Sequence, residues 1–463
     1  MRVVVTGATG LIGGPLVRRL LDAGHEVRAL TRGVERARAV LPARCACFAW
    51  DPERGAIDRA ALAGADAVVH LAGEGVAEGR WTEARKRAIR ESRVAGSRVL
   101  VETIAGLDAA ARPRVLASAS AIGIYGDRGD ERLDEGAAPG AGFLPEVCTA
   151  WEREVRAAED LGLRVVTVRI GIVLAKEGGA LARMLPPFRL GVGGRIGSGR
   201  QWMSWIHVDD LVALFVHALE RDDLRGPVNG VAPEPVRNAD FTAALGHALG
   251  RPTILPVPAL ALRLALGEMA IILLASQRVA PRAAEAAGFA FRHRTLPGAL
   301  ADLCRDHVHE LEREQWVPRP PEEVFAFFSD AHNLEAITPP FLRFDVRAVS
   351  TAAMEAGTRL DYRLRVRGLP LRWRSVIEAW EPPRRFVDVQ TKGPYRLWHH
   401  THEFEPRDGG TLIRDRVRYE VPLGALGELA AGALVARDLA EIFRYRHAQI
   451  AARFGGAAAG ARS

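Results

Sequence analysis

Lysine is almost absent from this 463-residue chain, which has only Lys86, Lys176 and Lys392 among its 63 basic residues. The formal net charge is +7, yet the arginines are spread between acidic residues and form no basic block. Scattered charges of this kind are typical of solvated protein faces, whereas nucleic-acid binding needs clustered ones. The composition therefore predicts a globular protein with no nucleic-acid partner.

Cysteine is also scarce, with Cys45, Cys47, Cys148 and Cys304 and no Cys-x-x-Cys pair. This excludes a disulfide framework, and a chain of this length buries enough core to need none. Cys45 and Cys47 would need a second pair of ligands to hold a structural zinc ion, so we predict no metal. Reduced thiols, and a strand that starts at Arg2 with no signal peptide before it, predict a cytoplasmic protein.

Long apolar runs are missing except at residues 254–275. That run begins with two prolines and then contains Arg263 and Glu268. Each charge at the centre of a membrane span would cost roughly 3 kcal/mol. We therefore predict no membrane span, and a buried or pocket-lining helix instead.

A glycine-rich turn opens the chain. Residues 3–5 are valines that predict a buried parallel strand, TGATGLIG follows at residues 6–13, and residues 15–23 have helical periodicity. Gly7 suits a tight turn, Gly10 lets the backbone approach a pyrophosphate, and Gly13 lets helix and strand pack closely. The N–H groups at the helix N-terminus would then face the phosphates. The predicted dinucleotide site at this turn consists of Gly7, Thr9, Gly10, Leu11, Ile12 and Gly13.

The end of the second strand bears on the choice of nucleotide. Residues 26–30 form this predicted strand, and an NAD-selective site has an acid at its end that binds the ribose 2′-hydroxyl. Here the strand ends in Leu30, Thr31 and Arg32. The Arg32 guanidinium suits a 2′-phosphate, so we predict NADP(H) in preference to NAD(H). The alternative is that Arg32 is an ordinary surface arginine.

Further strand-like runs alternate with helical segments. They lie at residues 47–51, 67–73, 115–118 and 165–169. This alternation predicts the α/β class with a doubly wound parallel Rossmann sheet, whose ligands bind at the carboxyl ends of the strands.

Several motifs of this region resemble the extended short-chain dehydrogenases/reductases of the NAD-dependent epimerase/dehydratase type. The motifs are HLAG at 70–73, SASAIGIYG at 118–126, RIGIVL at 169–174 and WIHVDDL at 205–211. FLPEVCTAWE at 143–152 is similar to an atypical branch that is labelled cell-division-inhibitor-like. The resemblance covers residues 1–300, with 252–300 as a small C-terminal extension. It implies that Asp51 meets the adenine, while Leu71, Ala72 and Gly73 lie along the cofactor.

The catalytic Tyr-x-x-x-Lys pair of that family is missing. In the family, the tyrosine moves a proton at the substrate oxygen, and the lysine lowers the tyrosine pKa and holds the nicotinamide ribose. With Glu152 as the anchor of the alignment, Leu144 and Cys148 occupy the two positions. The serine position matches Ser120, and Tyr125 is the only tyrosine before residue 362. Ser120 and Tyr125 are therefore the catalytic candidates.

The glycine-rich segment 178–205 would cover the cofactor and form a substrate cleft. Its candidate pocket residues are Gln201, Trp202 and Trp205, and the alternative is a packed loop. His207 of the WIHVDDL motif is predicted to be structural, and the two aspartates after it are predicted to fix loops by hydrogen bonding.

The pattern changes beyond residues 301–314, which we predict to be a linker. A helix with proline first and acids in its opening turn begins at Pro321. Apolar residues alternate over 359–366, strand-like runs recur between 371 and 421, and residues 423–454 are predicted to be helical. These elements predict an α+β domain over 315–456, followed by a tail of residues 457–463.

The motifs VFAFFSDAHNLEAITPP at 324–340, FVDVQTKGPYRLWHHTHEF at 386–404 and VPLG at 421–424 resemble the START-like superfamily, also called SRPBCC or polyketide cyclase/dehydrase-like. The resemblance implies a helix-grip fold, in which a long final helix closes a cavity for a hydrophobic ligand on an antiparallel sheet. Candidate cavity residues are Tyr362, Trp373, Trp398 and Tyr419, with ordinary core aromatics as the alternative. His400 and His402 share a strand face, but the sequence places no evident acid or cysteine beside them.

Two functions stay open at this point. One is an NADP(H)-dependent oxidoreductase or epimerase whose small-molecule substrate is a hydrophobic carbonyl or hydroxyl compound. The other is a nucleotide-responsive binding protein without turnover, which the missing tyrosine and lysine favour.

Overall fold

The computed structural model describes residues 1–304, 308–366, 368–422 and 432–455. The chain divides into two compact units, Met1–Cys304 and Arg305–Ser463.

The first unit is built on a sheet of eight strands in the order β12-β8-β6-β5-β1-β2-β3-β4. All neighbours in this sheet pair in parallel except the short edge strand β4, which is antiparallel to β3. The strands of the unit are β1 (Arg2–Thr6), β2 (Glu26–Thr31), β3 (Ala46–Asp51), β4 (Ala56–Ile57), β5 (Ala67–His70), β6 (Val115–Ala121), β7 (Arg132–Leu133), β8 (Arg164–Ile170), β9 (Ile172–Ala175), β10 (Trp202–Met203), β11 (Trp205–His207), β12 (Gly226–Gly230), β13 (Val236–Arg237) and β14 (Arg278–Val279). The predicted doubly wound parallel Rossmann sheet is confirmed.

Helices connect the strands and cover the sheet. They are α1 (Gly13–Asp22), α2 (Val34–Val40), α3 (Glu83–Ala105), α4 (Phe143–Arg156), α5 (Gly179–Arg189), α6 (Val208–Glu220), α7 (Asn238–Leu249), α8 (Ala259–Leu266), α9 (Ile271–Leu274), α10 (Arg282–Ala286) and α11 (Leu296–Leu303). Helix α1 is typical: its apolar residues at helical spacing, such as Leu16 and Leu20, are buried against the sheet, and it ends before Gly24, whose φ is +79°.

The central strands are apolar on both faces because helices pack on both sides of the sheet. Residues 3–5 of β1 and 67–69 of β5 have no exposed surface. The strand order brings the carboxyl ends of β1, β2 and β5 to one edge, where ligands of this sheet architecture bind.

Of the two alternatives predicted for the apolar run 254–275, a buried helix is wrong, whereas a pocket-lining one agrees with the structure. It forms α8, a short 3₁₀ turn and α9, and no residue of α8 or α9 is buried. Leu260 and Leu264 are about 70% exposed, although Ala259, Arg263 and Leu274 line a cavity. Gly267 and two prolines break the run into pieces too short to bury one continuous face.

The second unit is an antiparallel sheet of seven strands in the order β15-β21-β20-β19-β18-β17-β16. The strands are β15 (Val308–Val317), β16 (Asp345–Val349), β17 (Arg359–Val366), β18 (Leu369–Glu381), β19 (Arg385–Lys392), β20 (Leu397–Arg407) and β21 (Gly410–Glu420). The helices are α12 (Pro321–Phe328), α13 (Asn333–Ala336) and α14 (Ala433–Phe454). Ile450 and Phe454 of α14 pack in one core with Phe404 and Ile413 of the sheet, and the predicted helix-grip α+β class is confirmed.

The segment predicted as a linker contains an element that the sequence did not suggest. Residues 308–314 belong to β15, which pairs over its whole length with β21. Its charged residues form ion pairs with the neighbouring strand, such as Glu314 with Arg414. Residues 423–431 of the predicted final helix and the predicted tail, 457–463, lie outside the described residues.

Candidate functional site

A groove of about 720 Å³ lies at the carboxyl ends of β1, β2 and β5. Its wall includes the turn between β1 and α1, the start of α2, the residues after β3 and β5, and one face of α3. Of the predicted cofactor residues, those on this wall are Gly7, Thr9, Gly10, Arg32, Leu71, Ala72 and Gly73.

The three glycines of the turn act in different ways. Gly7 has φ +67°, and a Cβ there would lie 2.9 Å from the carbonyl carbon of Leu71. A Cβ on Gly13 would overlap the carbonyl oxygen of Gly7, so helix and turn pack closely only around glycine. Gly10 lies on the groove wall, where its missing side chain leaves room for a ligand.

Three predicted cofactor residues of the turn do not line the groove. Gly13 is buried beneath the turn, and Ile12 packs against the core. The Leu11 side chain reaches residue Gly178, at the start of α5, where a Cβ would lie 2.8 Å from Leu11 Cδ1. Leu11, Ile12 and Gly13 therefore contribute no side chain to the wall of the groove.

Two arginines, Arg32 and Arg36, lie at the end of the groove that is next to β2 and α2. The Arg32 side chain is 67% exposed and makes only a loose ion pair, 3.7 Å from Glu74. Arg36, one turn into α2, also lines the groove and was not predicted. Two cations without a tight protein partner can bind a phosphate at this position.

Asp51 does not lie where its family resemblance implied. Its Oδ1 accepts hydrogen bonds from the backbone N–H groups of Glu53 and Arg54, at 3.1 and 3.3 Å, so it holds the turn after β3. Its neighbours Trp50 and Pro52 line the groove in its place.

A buried hydrogen-bond network fixes the floor of the groove. The Thr6 hydroxyl accepts the N–H groups of Leu71 and Ala72, and its own proton points to His70 Nδ1 at 2.8 Å. His70 Nε2 lies 3.1 Å from the hydroxyl of Ser97 on α3. This pattern needs a neutral imidazole, and burial lowers the pKa of His70 to about 4.

Ser120 and Tyr125, the two catalytic candidates, lie in a second network that leaves neither of them free. The Ser120 hydroxyl donates to Glu152 Oε1 at 2.6 Å, and Arg169 binds both oxygens of Glu152 at 2.9 Å. The Tyr125 hydroxyl donates to Asn229 Oδ1 and accepts from Arg169. Tyr125 has no exposed surface and Ser120 is 2% exposed. In this structure both hydroxyls are buried and hydrogen-bonded to other side chains.

The positions of the missing pair lie on α4. Leu144 and Cys148 both face Gly123, and burial raises the pKa of the Cys148 thiol to about 12. A cation is nevertheless present: Arg93 of α3 lies against Gly73, where a Cβ would come within 3.3 Å of its guanidinium carbon, and it interacts electrostatically with Cys148. No sequence motif marked Arg93.

The three pocket residues predicted in the segment 178–205 lie in three different environments. Trp205 has no exposed surface and donates its Nε1–H to the carbonyl of Glu234, so it is a core residue and its pocket assignment is wrong. Trp202 is held between the guanidinium groups of Arg237 and Arg278. Gln201 lines a polar cavity of about 350 Å³.

His207 and its acidic neighbours form a hydrogen-bonded group, as predicted. Its Nδ1 accepts the N–H of Asp209 at 3.1 Å, which leaves the ring proton on Nε2, 3.4 Å from Asp302. Asp210 accepts the N–H groups of Arg292 and His293 and so fixes that loop. The hydrogen bond from His207 lowers the pKa of Asp302 to about 2.

The second unit encloses a cavity of about 170 Å³ between its sheet and α14. Tyr362, Trp373 and Trp398, three of the four predicted residues, line it together with Tyr395. Tyr419 does not line it but stacks on His309, its neighbour across the pairing of β15 with β21. Apolar side chains form most of the wall, including Leu439, Ile442 and Phe443 of α14.

One end of this cavity is polar and buried. His400 Nε2 is 3.0 Å and His402 Nδ1 is 2.7 Å from Asp415 Oδ1, while Asp388 Oδ1 is 3.6 Å from His400 Nδ1 and 3.4 Å from His402 Nε2. Arg446 of α14 lies 3.8 Å from Asp415. Burial lowers the pKa of His400 to about 4. Although burial opposes it, the carboxylate of Asp415 raises the pKa of His402.

Only half of this polar cluster was predictable from the sequence. Its period of two placed His400 and His402 on one face, but the acids lie on neighbouring strands. Asp388 on β19 is directly opposite His400, and Asp415 on β21 is directly opposite His402. The alternating patterns of β19 and β21 indicate which face each aspartate is on. The pairing register that brings the aspartates beside the histidines cannot be read from one sequence.

Family models match almost the whole chain. The NAD dependent epimerase/dehydratase family matches residues 3–229, and a domain of unknown function matches residues 257–303. The polyketide cyclase/dehydrase and lipid transport family matches residues 308–455. Among the residues that the structure describes, no helix has both the length and the apolar character needed to cross a membrane.

Relatives and solved structures match only part of the chain. An epimerase family protein of Mycobacterium bovis is 44% identical over 299 residues, which are 64% of this chain and 96% of that protein. A chloroplastic one of Arabidopsis thaliana is 43% identical over 309 residues, 66% of this chain and 87% of that protein. The crystal structure of the human epimerase family protein SDR39U1 with NADPH is 35% identical, with a TM-score of 0.60, and the match covers 66% of this chain and all of that one. A nucleoside-diphosphate sugar epimerase from Corynebacterium glutamicum is 37% identical, with a TM-score of 0.53, over 66% of this chain and 58% of that one.

Proposed function

The chain belongs to the NAD-dependent epimerase family, fused to a polyketide cyclase/dehydrase-like domain, and from that premise we propose that it is an NADP(H)-binding protein. Its substrate, in this proposal, is a hydrophobic carbonyl or hydroxyl compound, and the C-terminal cavity holds an apolar ligand. The four cysteines are free thiols, which supports a cytoplasmic location.

The observation that carries this proposal is the groove at the edge of the parallel sheet. Its glycine turn leaves the wall at Gly10 open, and Arg32 and Arg36 stand where a 2′-phosphate would lie. NADPH in the human relative supports the same nucleotide. In this proposal Arg93, the half-buried cation beside Gly73, takes over the contact to the nicotinamide ribose that the missing lysine makes elsewhere.

The cavity of the second unit supports an apolar ligand. It is lined mainly by aromatic and aliphatic side chains, with a few polar groups at one end. Pockets of this kind gain affinity from apolar burial, while their few polar groups fix the orientation of the ligand.

The second candidate function, a nucleotide-responsive binding protein without turnover, is favoured by the Ser120 network. The family's proton transfer needs a free serine and tyrosine. Here Glu152 accepts a hydrogen bond from the Ser120 hydroxyl, and Asn229 accepts one from the Tyr125 hydroxyl. Turnover would therefore need a proton donor from the substrate or from water.

Native mass spectrometry of the purified full-length chain tests both halves of the proposal. We expect a mass increase of one NADP(H), and a separate smaller increase from an apolar compound that is released by organic solvent. Adding NADPH to stripped protein should restore the first increase. A chain that carries neither compound and takes up no NADPH would contradict the proposal.

A further inference from the structure

Three side chains at the polar end of the C-terminal cavity direct donor atoms at one point. Asp388 Oδ1 lies 3.6 Å from His400 Nδ1 and 3.4 Å from His402 Nε2. A metal ion with bonds of about 2.0–2.2 Å to nitrogen and oxygen separates its ligand atoms by about 3.0–3.5 Å. The three residues, all mostly buried, are therefore close to the spacing that such an ion needs.

The outer nitrogens of both rings are turned to the same carboxylate. Asp415 Oδ1 is 3.0 Å from His400 Nε2 and 2.7 Å from His402 Nδ1. Histidines that bind metals usually give their other N–H to a carboxylate, which fixes the ring and leaves the inner nitrogen free of its proton. Asp415 serves both histidines in this way.

The carboxylate of Asp388 is also held. Its second oxygen accepts a hydrogen bond from the Ser375 hydroxyl at 3.3 Å. The Ser375 hydroxyl in turn accepts a hydrogen bond from the indole N–H of Trp373, and its oxygen is 2.7 Å from the hydroxyl oxygen of Tyr362. Each of the three donor groups thus has a second partner that orients it.

The cavity provides what a ligand-binding metal needs, which is a free coordination position. Three protein ligands with an open fourth position are typical of catalytic sites, whereas structural sites are closed. Asp388, His400 and His402 all line the cavity, and apart from Arg446 of α14 the wall around them is mostly apolar. The open position therefore faces the space where an apolar ligand would lie.

We propose that Asp388, His400 and His402 bind one divalent transition-metal ion, of the kind that imidazole and carboxylate ligands select, such as Zn²⁺ or Fe²⁺. The open position takes an oxygen of the cavity ligand, from a carbonyl, hydroxyl or carboxylate group. The metal site stands independently of the proposed function, but the apolar character of that ligand rests on it.

The test uses the full-length chain without a histidine tag, stripped with a chelator. Co²⁺ is added and its visible absorption is recorded, and Zn²⁺ is then measured by competition. We expect one Co²⁺ per chain with the spectrum of nitrogen and oxygen ligands. Asp388→Asn and His400→Ala should each weaken binding by more than about 100-fold, since even the loss of an orienting partner costs about 10–100-fold.

His399→Ala is the matched control. His399 is on the same strand but faces away from the cavity, where it pairs with Glu378, so its loss should leave metal affinity unchanged. Asp388→Asn keeps the shape of the side chain, and an unchanged melting curve for this variant shows that its fold is intact. A wild-type chain that binds no Co²⁺ overturns the proposal. So does binding that survives Asp388→Asn in a folded chain and is lost in His293→Ala, because that assigns the ion to the group around His207.

The failure of this proposal can be told apart from failure of the proposed function. Metal is titrated without any apolar compound, and apolar compounds are tested on the metal-free chain. Metal binding without apolar ligand binding leaves the site standing and contradicts the cavity's proposed role. The converse result shows that the cluster is an ion-paired network only, and it overturns the metal site.

Discussion

Arg32 and Arg36 are the two residues on which the choice of nucleotide depends. Their guanidinium groups lie in the groove without a close carboxylate partner, and a hydrogen bond to a charged group contributes about 1.5–3 kcal/mol. We expect Arg32→Ala to weaken NADPH binding by about tenfold or more and to leave NADH binding nearly unchanged. Fluorescence titration measures both affinities.

Arg38→Ala is the control for that substitution, because Arg38 lies nearby on α2 but pairs with Glu35. Equal affinities of the wild-type chain for NADPH and NADH would show that Arg32 is an ordinary surface residue.

Gly10 and Gly13 belong to one motif but should respond differently to substitution. A Cβ at Gly10 meets only the Gly7 carbonyl, at 3.2 Å, whereas a Cβ at Gly13 overlaps that carbonyl and the Ala8 backbone. We expect Gly10→Val to fold and to lose NADPH affinity, and Gly13→Ala to lower the melting temperature strongly. Circular dichroism and NADPH titration separate the two effects. A folded Gly10→Val chain with normal affinity would mean that the nucleotide binds elsewhere.

At the scale of single residues, the sequence predicted the backbone roles better than the side-chain roles. Glycine spacing identifies the turn because only glycine fits there. The true partners of Ser120 and Tyr125 come from α4, β8 and β12, and Asn229 is 104 residues from Tyr125. No local pattern contains such pairings.

The ends of β1 and β5 are joined through the neutral ring of His70, and this predicts a pH effect. The folded-state pKa of His70 is about 4 and an unfolded histidine titrates near 6.5, so the folded state binds fewer protons between these values. Stability is therefore complete above pH 6.5 and falls as the pH drops to 4, by roughly 3 kcal/mol from this residue.

Urea unfolding of the wild-type chain and of His70→Asn across pH 4–8 measures this contribution. The variant should be less stable at pH 8 but should lose less stability on acidification. Parallel curves for the two proteins would rule out His70 as the cause. The difference between the curves matters because buried His400 contributes a slope of the same sign.

Whole elements were predictable where one physical pattern dominated. The central strands of the first sheet are continuous apolar runs, and their predicted positions agree with β1, β2, β3, β5, β6 and β8 to within a few residues. Strand β15 was missed because its charges form ion pairs with β21, a pairing that the sequence alone does not show. The exposed helices α8 and α9 were misjudged because apolar composition does not report burial.

At the scale of the whole molecule, the second unit has its own sheet, core and cavity. We expect residues 305–463 to form a protein that melts cooperatively on its own, because a core of this size supports an independent domain. Apolar compounds should raise its melting temperature, since they bind only the native state.

Trp373→Ala should reduce that shift, because its ring lines the cavity, whereas Trp316→Ala, on the exposed side of β15, should not. A folded fragment that no apolar compound stabilises would identify the unit as a solid-core interaction module.

The Glu152–Arg169 pair also limits how this protein can change. Its own reactive positions hold leucine and cysteine, so an engineer would first replace Leu144 with tyrosine and Cys148 with lysine. That repair alone would not restore a dehydrogenase, because the Ser120 proton is already given to Glu152. Removing Glu152 to release the serine would leave the buried guanidinium of Arg169 without its counter-ion, at a cost of about 3–5 kcal/mol. The family's proton-transfer residues are therefore difficult to introduce here one at a time, since releasing Ser120 from Glu152 lowers stability.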